Sequence, residues 1–590
     1  MTERTPSVPN SRSPGTPVCH PNDATNQPSI EEQRRFSIGR STLALSNDGC
    51  YVELHAASAF SFLDGASQPD TLIEHAARLG MPAIALADRN GLYGAARFHT
   101  AGKRSNIRAH IGAEIAVSSL GSRLMLPTWL PHQVQVEPSR VVLLCASQTG
   151  YKNLCQLITR MKMRESRKAE GAATLEDLEE FAAGLICLTG GEEGPLSSAL
   201  GHGAQREAAR TADRLASIYC RRNLYLELQR HQQRDEESRN QALLSVASSL
   251  GLPIIATNGV RYAAENDRQL LDVFTAIRHH TTLDLAGRLL STNSARHLRA
   301  PQEMISLFSD LPEAIVNTRI VSDRLEFTLD NLGYEFPRYP VPDGESMDSF
   351  LAKRVDEGVM KRYGSSARRY LLDKARAQVR RELALIAKLG FAGYFLIVWD
   401  IIRYCQQYGI LVQGRGSAAN SAVCYALEIT AVDPIGMELL FERFLSENCG
   451  EWPDIDLDLP SGDEREKVIQ YIYERYGSLG AAMTANVITY RGRSAAREVG
   501  KVLGFDEEQL GRLTDLVGYW EWRGANDTMA RHFDQAGFDV HHRRIAHYLD
   551  LCQRMQDLPR HLGWNSQPRG PQDILPQERN SPSCMVFSMQ

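Results

Sequence analysis

The sequence predicts an α/β protein in which strands and helices alternate along the N-terminal half. Five short apolar runs have the length of buried strands: residues 81–88, 140–147, 184–191, 223–230 and 252–258. Amphipathic stretches such as TADRLASIYCRRN separate these runs, and such alternation is typical of parallel strand–helix units. We therefore expect a sheet or barrel covered by helices, in which polar residues at the C-terminal strand ends are site candidates.

The composition is that of a globular protein, with 43% hydrophobic and 23% charged residues. A chain of 590 residues is long enough for roughly three to five domains that each bury a core. Because the net charge is −5, any contact with nucleic acid must come from a local basic patch. The composition therefore gives no global signature of a DNA-binding protein.

Cysteines and apolar runs indicate the compartment. The eleven Cys residues form no C-x-x-C pair, which argues against a zinc ribbon or a disulfide framework. No uninterrupted apolar run approaches the roughly 18 residues of a membrane span, and the N-terminus lacks the apolar core of a signal peptide. We therefore expect a cytoplasmic protein with no membrane association.

Two changes in composition predict domain limits. Residues 1–46 are rich in Pro, Ser, Thr and Asn without periodicity, so we expect a disordered extension. Residues 331–345 carry three Pro and two Gly, as an extended connector does. Beyond this connector, residues 375–390 have helical spacing and one basic face, which is either a solvated helix surface or a DNA contact.

Three carboxylates alternate with apolar residues in the stretch EWPDIDLDLP. In an extended strand Asp454, Asp456 and Asp458 share one face, while the apolar residues between them share the other. Like charges on one face repel unless a cation neutralises them, and Mg²⁺ prefers such oxygen ligands. A metal platform is one interpretation, and a solvated edge strand is the alternative.

A glycine turn precedes a helical pattern in ILVQGRGSAANSAVCYAL, residues 410–427. Gly414 and Gly416 allow the backbone to approach a ligand, and Ser417 is positioned to cap the helix while free N–H groups face an anion. Two alternatives stay open. One is a simple capped turn, and the other is a dinucleotide fold that would use Asp433.

Together, the glycine turn and the carboxylate strand supply a triphosphate cradle and a metal platform. This combination is the equipment for nucleotidyl transfer, in which metal ions activate a hydroxyl and neutralise the leaving pyrophosphate. Arg443 is a candidate third cation for the phosphates. Its alternative role is that of a surface ion-pair partner.

Three blocks occur in a fixed order: GRGSAANSAVCYALEIT, DPIGMELLFERFLSEN and PDIDLDLPSGDEREKVIQYIYERYG. They resemble the palm of the bacterial family C DNA polymerases, which include the alpha subunit of DNA polymerase III and its error-prone paralogue. Upstream, YVELHAASAFSFLDGAS, IALADRNGLYGAARF and IGAEIAV are similar to the polymerase and histidinol phosphatase (PHP) domain of that family. The resemblance spans about residues 50–563, and wordings such as FSFLDGAS favour the error-prone, lesion-bypass branch.

The resemblance implies a PHP-type (βα) barrel followed by a nucleotidyltransferase-like palm with a helical thumb. The implied limits are 47–270 for the PHP domain, 271–345 for a connector, 346–485 for the first part of the palm, 486–563 for the thumb and 564–590 for an unstructured tail. Partners implied by the family are primer–template DNA, deoxynucleoside triphosphates, accessory translesion proteins and a sliding clamp. The implied cofactor is Mg²⁺, held by the catalytic Asp454 and Asp456, while the nucleotide is bound by Gly414, Gly416, Ser417 and Arg443.

The PHP part departs from metal-binding relatives. His55, Asp64, Glu114 and His231 match ligand positions of the family, but other positions carry Ala57, Arg89, Gly191, Gly259 and Arg261. Arginine has no lone pair for a metal and adds positive charge to a cation site. We therefore expect that the metal centre and any proofreading hydrolysis are lost, and that arginines stand in for the ions in a structural scaffold.

The last 27 residues, WNSQPRGPQDILPQERNSPSCMVFSMQ, lose the family pattern. This change predicts a frameshifted or truncated reading frame without the third catalytic Asp, so we expect the chain as given not to polymerise DNA. Three functions stay open. They are an error-prone DNA polymerase, a PHP phosphoesterase or 3′–5′ exonuclease, and a catalytically dead fragment that binds partners or DNA.

Overall fold

The protein is represented by a computed structural model. It describes residues 51–118, 138–164, 171–201, 203–330, 332, 338–365, 369–445, 453–477, 481–483, 485–518, 537–564 and 585–587. The extension predicted to be disordered, residues 1–46, lies outside these ranges. The same holds for most of the tail that follows residue 564.

A seven-stranded sheet organises the N-terminal half, and its strands follow one another in chain order. The strands are β1 (Glu53–Ala56), β2 (Ala83–Arg89), β3 (Arg108–Val117), β4 (Ser139–Cys145), β5 (Leu185–Leu188), β6 (Leu224–Leu228) and β7 (Ile254–Ala256). After β7 the chain returns to β1, where Val260 N–H donates to the His55 carbonyl and Ala57 N–H donates to the Val260 carbonyl, both at 2.8 Å. These contacts curl the sheet into a barrel.

Helices alternate with the barrel strands, which confirms the α/β class. They are α1 (Pro69–Arg78), α2 (Ala95–Ser105), α3 (Gln148–Arg164), α4 (Leu175–Glu180), α5 (Pro195–Gly201), α6 (Gln205–Tyr219) and α7 (Glu236–Leu250). In α6, Ala212, Leu215 and Tyr219 recur at helical spacing and are buried in the barrel core. This apolar stripe holds the helix against the sheet.

One strand direction differs from the prediction of parallel units. Strand β4 runs antiparallel to both β3 and β5, whereas the other neighbouring pairs are parallel. An apolar run such as RVVLLC is buried in either direction, so its pattern carries no information about direction. As a result, the first residues of β4 lie at the edge where the parallel strands end.

The predicted connector, 271–345, is largely helical as far as residue 324. It contains the end of α8 (Arg268–Arg278), then α9 (Leu283–Ala286), α10 (Pro301–Leu307) and α11 (Pro312–Arg324). Met304, Phe308 and Ile315 belong to the barrel core. The Pro and Gly residues that suggested a connector are confined to its last part, so these helices belong structurally to the barrel.

A second core lies beyond residue 338. Its elements are α12 (Met347–Tyr363), α13 (Leu372–Leu389), α14 (Ala392–Gln407), β8 (Gln413–Arg415), α15 (Ala422–Ala426), β9 (Asp456–Asp458), α16 (Asp463–Tyr476) and β10 (Ala481–Met483). Helix α14 buries apolar side chains on most of its faces, including Phe395, Leu396 and Ile401. It therefore forms the centre of this core.

No single helix within the described ranges is long and apolar enough to cross a membrane. The helical segments 369–389 and 392–407 pass that test only as a pair, and the chain bends by 117° between them.

A helical module follows, defined as residues 485–564. It contains β11 (Ala485–Thr489), α17 (Gly492–Val502), α18 (Glu507–Gly518), α19 (Arg543–Met555) and β12 (Pro559–Trp564), with β11 and β12 antiparallel. The module shares a core with α8 of the barrel unit, where Phe274 stacks on Tyr490 with ring centroids 6.2 Å apart. The barrel and the helical module are therefore joined by apolar packing.

A short strand lies in the tail that was expected to be unstructured. Residues Met585–Phe587 form β13, which pairs in parallel with β10. These residues are the β-prone apolar run of the tail, and such residues favour extended pairing. The expectation of an unstructured tail therefore does not describe these three residues.

Candidate active site

The two sequence motifs are neighbours in the structure. Strands β8 and β9 pair antiparallel, with Gln413 opposite Asp458, Gly414 opposite Leu457 and Arg415 opposite Asp456. This pairing joins residues more than forty positions apart in the sequence. The glycine turn therefore begins directly beside the carboxylates.

The carboxylate strand, defined as residues 454–458, alternates as predicted. Ile455 and Leu457 are 8% and 6% exposed, whereas Asp454 and Asp458 are exposed and Asp456 is partly exposed. Partial desolvation and the neighbouring Asp456 carboxylate raise the pKa of Asp454, while Arg415 opposes this shift. A cation bound on this face would relieve the repulsion between the two carboxylates.

The Gly-Ser turn, defined as Gly416–Asn420, is a 3₁₀ turn that follows β8. Gly416 has φ +72°, a left-handed conformation that residues with a Cβ rarely adopt. A Cβ built on Gly416 would lie 4.0 Å from Asp456 Oδ2, with no other heavy atom closer. Gly416 and Ser417 are exposed, so the turn faces open space next to the carboxylate strand.

Two details of the predicted turn need correction. Ser417 does not cap the following helix, because the chain first completes the 3₁₀ turn and α15 begins after Ser421, whose Oγ accepts from Cys424 N–H at 3.1 Å. Gly414 faces the core, since a Cβ there would lie 2.8 Å from the Ile429 carbonyl oxygen. Its small size serves packing rather than close approach to a ligand.

Arg443 ends a second 3₁₀ turn, Phe441–Arg443, which contacts the Gly-Ser turn. Its side chain is exposed. The adjacent Glu442 forms an ion pair with Arg381 of α13, which ties this turn to that helix. Arg443 therefore lies on an element that contacts the Gly-Ser turn.

Two further residues contact the carboxylate strand, and sequence reasoning missed both. Arg415 lies 3.4 Å from Asp456 through Nη2 and 3.0 Å from Asp458 through Nε. The Tyr394 hydroxyl accepts from Ile455 N–H at 2.9 Å, and burial together with Asp454 and Asp456 raises its pKa. Arg415 could have been found by predicting that β8 pairs with β9. No feature of the sequence indicated Tyr394.

Asp433, the acid considered for a dinucleotide fold, has a structural role. Its Oδ1 accepts from the Tyr363 hydroxyl at 2.5 Å and from the N–H groups of Ile435 and Gly436. These contacts stabilise the turn after Pro434. The dinucleotide interpretation therefore finds no support in the position of this side chain.

A second constellation, the barrel centre, is defined by His55, Asp64, Glu114, Arg140 and Arg261. His55 Nδ1 lies 2.7 Å from Glu227 Oε1, and His55 Nε2 lies 3.3 Å from Glu114 Oε1. Burial alone would lower the pKa of His55, but the carboxylates of Glu227 and Glu114 raise it to about 10. Both ring nitrogens thus face carboxylates, which favours the protonated form of His55.

Arginines bind the acidic groups of the barrel centre. Arg261 is 2% exposed and forms a forked pair with Glu114 at 3.0 and 3.3 Å. Asp64 lies 2.9 Å from Arg140, 3.2 Å from Arg278 and 3.6 Å from Arg89. Burial would raise the pKa of Asp64, yet Arg261, Arg140 and Arg278 hold it below its usual range.

His231 contacts groups other than Asp64 and Glu114. Its Nε2 donates to the Asn258 carbonyl at 2.9 Å, and its Nδ1 lies 3.4 Å from Glu236. Burial and the charge of Arg296 lower the pKa of His231 to about 3. The side chains at the four family ligand positions therefore make three kinds of internal contact. His55 faces carboxylates. Asp64 and Glu114 pair with arginines, and His231 donates to a backbone carbonyl.

A neighbouring side chain fills the space beside Gly191, one of the positions that depart from the family's ligand pattern. Gln229 lies where a Cβ on Gly191 would be, since the two would be 2.1 Å apart, and Gln229 Nε2 donates to Glu227 at 2.7 Å. Among the residues that the structure describes, no group of three or more His, Cys, Asp or Glu side chains is arranged to hold a metal ion.

The pKa of His55 predicts how stability depends on pH. Because folding raises this pKa from 6.5 to about 10, the stabilisation is complete below pH 6.5 and is lost as pH rises towards 10. We expect the free energy of unfolding to fall by up to about 1.4 kcal/mol per pH unit from this proton. Urea unfolding between pH 6.5 and 10 measures it.

The matched control for that measurement is His55→Gln, which cannot titrate. Its unfolding free energy should lack this component of the slope, while all other titrating groups remain. Parallel pH profiles for the two proteins would contradict a buried, charged His55.

Comparison with protein families identifies both parts of the chain. Residues 53–231 match the PHP domain, and residues 349–566 match the bacterial DNA polymerase III alpha NTPase domain. The first match covers β1 to β6 of the barrel, and the second covers the carboxylate strand, the Gly-Ser turn and the helical module. These matches define the class as a PHP domain followed by a bacterial DNA polymerase III alpha domain.

Full-length relatives narrow the assignment. The error-prone DNA polymerase of Mycolicibacterium paratuberculosis is 39% identical over 554 residues, covering 92% of this chain and 48% of the relative. That of Mycobacterium bovis is 40% identical over 520 residues, covering 88% and 45%. The chain belongs to the bacterial family C DNA polymerases, on their error-prone branch. It spans about half the length of the curated relatives it matches.

Among solved structures, an amidohydrolase from Chromobacterium violaceum covers 36% of this chain and 89% of its own, at 16% identity and a TM-score of 0.26.

Proposed function

We propose that this chain takes part in error-prone DNA synthesis, the transfer of a nucleotide from a deoxynucleoside triphosphate to a primer on a damaged template. One observation carries the proposal. The pairing of β8 with β9 sets the exposed Gly-Ser turn beside Asp456. A backbone turn for phosphates next to metal-binding carboxylates is the arrangement that phosphoryl transfer requires.

Each residue in the proposal has one role. Asp454 and Asp456 would hold Mg²⁺, since both carboxylates lie on one accessible face and the family generally uses divalent metal ions. When bound, the metal supplies positive charge against the triphosphate. Asp458 supports the strand through its ion pair with Arg415.

The nucleotide side of the proposed site comes from two turns. Gly416 and Ser417 present backbone to the triphosphate, and Arg443 on the neighbouring turn neutralises the leaving pyrophosphate. Arg415 holds Asp456 in place from the opposite strand. Gly414 is assigned a packing role within this site.

Primer–template DNA and deoxynucleoside triphosphates are the proposed substrates. Accessory translesion proteins and a sliding clamp are proposed partners, by analogy with the whole family. Since these substrates occur with the bacterial chromosome, the proposed location is the cytoplasm. The proposed domains keep the limits 47–270, 271–345, 346–485 and 486–563. The helices of the connector pack on the barrel.

A phosphoesterase or exonuclease centred on the barrel has less support. Arg261 is bound to Glu114, and Arg140 is bound to both Glu114 and Asp64. A guanidinium cannot ligate a metal, and its charge opposes one. The barrel is therefore proposed to be a structural scaffold.

Binding of nucleotide to the purified chain tests the proposal. We expect a fluorescent deoxynucleoside triphosphate to bind in the presence of Mg²⁺ and to be released by EDTA. Replacing Gly416 with Val should weaken binding about tenfold, because a β-branched residue at a left-handed φ forces the turn to rearrange. Primer extension with the same preparation then distinguishes a complete catalyst from a fragment that only binds.

Gly409→Val is the matched control. Gly409 also has a positive φ, +66°, and open surroundings, but it lies in the loop after α14. The Gly409→Val protein should have the same backbone strain as the Gly416→Val protein. Its nucleotide affinity should equal that of the wild type. Equal affinities for the wild type and Gly416→Val would favour a simple structural turn.

A further inference from the structure

Helix α13 carries a buried carboxylate that the proposed chemistry does not use. Glu382 is 0% exposed and accepts four hydrogen bonds: from Ala422 N–H and Gln378 Nε2 at Oε1, and from Val423 N–H and Ser421 Oγ at Oε2, all between 2.8 and 3.0 Å. Burial raises the pKa of Glu382, and its N–H donors oppose this shift. A buried carboxylate that accepts four hydrogen bonds has a structural role and is not a solvated surface group.

Three of the four donors, Ser421, Ala422 and Val423, belong to the chain that leaves the Gly-Ser turn. Ser421 directly follows Asn420, and Ser421 N–H donates to the Ala418 carbonyl at 3.1 Å. Ser421 Oγ also accepts from Cys424 N–H, so one side chain links Glu382 to the start of α15. Glu382 thus fixes the point at which the turn ends.

The other end of the same turn is fixed by strand pairing. Arg415, which precedes Gly416, lies opposite Asp456 in the β8–β9 ladder. The turn is therefore anchored at the carboxylates on one side and at Glu382 on the other. Since only five residues separate the two anchors, movement at Glu382 changes the position of Gly416 and Ser417 relative to Asp456.

Packing and hydrogen bonds act together on this link. Ala418, Ala422 and Val423 are buried in the second core. A cavity of about 420 Å³ lies between α13 and residues 434–439, and its lining includes Gln378, Glu382 and Asn420. The hydrogen bonds to Glu382 therefore add to packing in holding the end of the turn. The same helix reaches the Arg443 turn through the Arg381–Glu442 ion pair.

We infer that Glu382 is a positioning residue for nucleotide binding, which sets the Gly-Ser turn at its distance from the carboxylate strand. The inference rests on the proposed nucleotide site. It assigns to α13 the role of a support for both turns of that site.

Glu382→Gln tests the inference in the full chain. In either orientation of the amide, one of the N–H groups of Ala422 and Val423 faces an NH₂ group and loses its acceptor. We expect faster hydrogen exchange at these amides and Mg²⁺-dependent nucleotide binding that is about five- to tenfold weaker. Thermal unfolding of the barrel should not change, which separates positioning from general loss of stability.

Gln378→Ala is the matched control, because it removes one donor to Glu382 and leaves both backbone N–H groups paired. It should bind nucleotide like the wild type. Glu382→Asp, which keeps the charge and shortens its reach, serves as the second variant should Glu382→Gln fail to fold, and it should weaken binding in the same direction.

The outcomes separate the two proposals. Unchanged nucleotide affinity in a folded Glu382→Gln or Glu382→Asp protein, with binding by the wild type intact, overturns the inference about Glu382 alone. Absence of Mg²⁺-dependent binding by the wild type overturns the proposed function and this inference together. Weaker binding by Gln378→Ala equal to that of Glu382→Gln would also overturn the assignment to Glu382.

Discussion

Replacing Arg261 with Met should destabilise the barrel by about 3–5 kcal/mol, because the buried Glu114 carboxylate then loses its forked partner. Arg140 and His55 still neighbour Glu114 at 3.4 and 3.3 Å, which favours the lower end of that range. Urea unfolding monitored on the barrel measures the change. EDTA should leave the unfolding midpoint of the wild type unaltered, since we propose that the arginines stand in for metal ions.

Arg97→Met is the control for this prediction. Arg97 forms a pair with Asp70 at 2.7 Å, but its side chain is 49% exposed. An exposed pair contributes about 0–1 kcal/mol. A loss in Arg261→Met no larger than that in Arg97→Met would show that the barrel centre does not depend on this cation.

The barrel centre shows why sequence predicts only part of such a site. The departures from the family's ligand pattern were visible at Ala57, Arg89 and Arg261, because a change of residue type is a local fact. Arg140 was missed because it stands at the start of an apolar run, and only the antiparallel direction of β4 brings it to the ligand edge. Strand direction depends on contacts distant in sequence, which a local pattern does not contain.

The second prediction concerns Asp456. Asp456→Asn should lower primer extension at least about a thousandfold, since loss of a metal ligand removes several kcal/mol of transition-state stabilisation. The measurement uses a chimera in which the C-terminal half of an error-prone relative follows residue 563 of this chain, since the chain spans about half of that relative's length. In the unmodified chain, the same change should abolish the Mg²⁺ dependence of nucleotide binding, and Asp454→Asn should behave similarly.

Asp458→Asn is the matched control on the same strand. Asp458 is exposed and pairs with Arg415, and we assign it no metal. Its loss should reduce extension by less than about tenfold, in line with an exposed ion pair. Comparable losses in Asp456→Asn and Asp458→Asn would mean that the metal ligands have been assigned to the wrong residues.

The proposed nucleotide site was likewise predictable only where the pattern is local in sequence. The alternation of Ile455 and Leu457 with the Asp residues was predictable because a strand has a period of two. The cap at Ser421 rather than Ser417 was not, because a 3₁₀ turn and an α-helix share their first residues' preferences. Glu382 lies about forty residues from the backbone groups it binds, so no motif indicated it.

The apolar face shared by α8 and the helical module has a consequence for biosynthesis. More than two hundred residues separate Phe274 from Tyr490, the ring on which it stacks. At about 5–20 residues per second, a ribosome takes roughly 10–45 s to cover that length. During this interval Leu270, Phe274 and their neighbours on α8 lack the module residues on which they pack, so we expect this apolar face to be open to chaperones that act during translation.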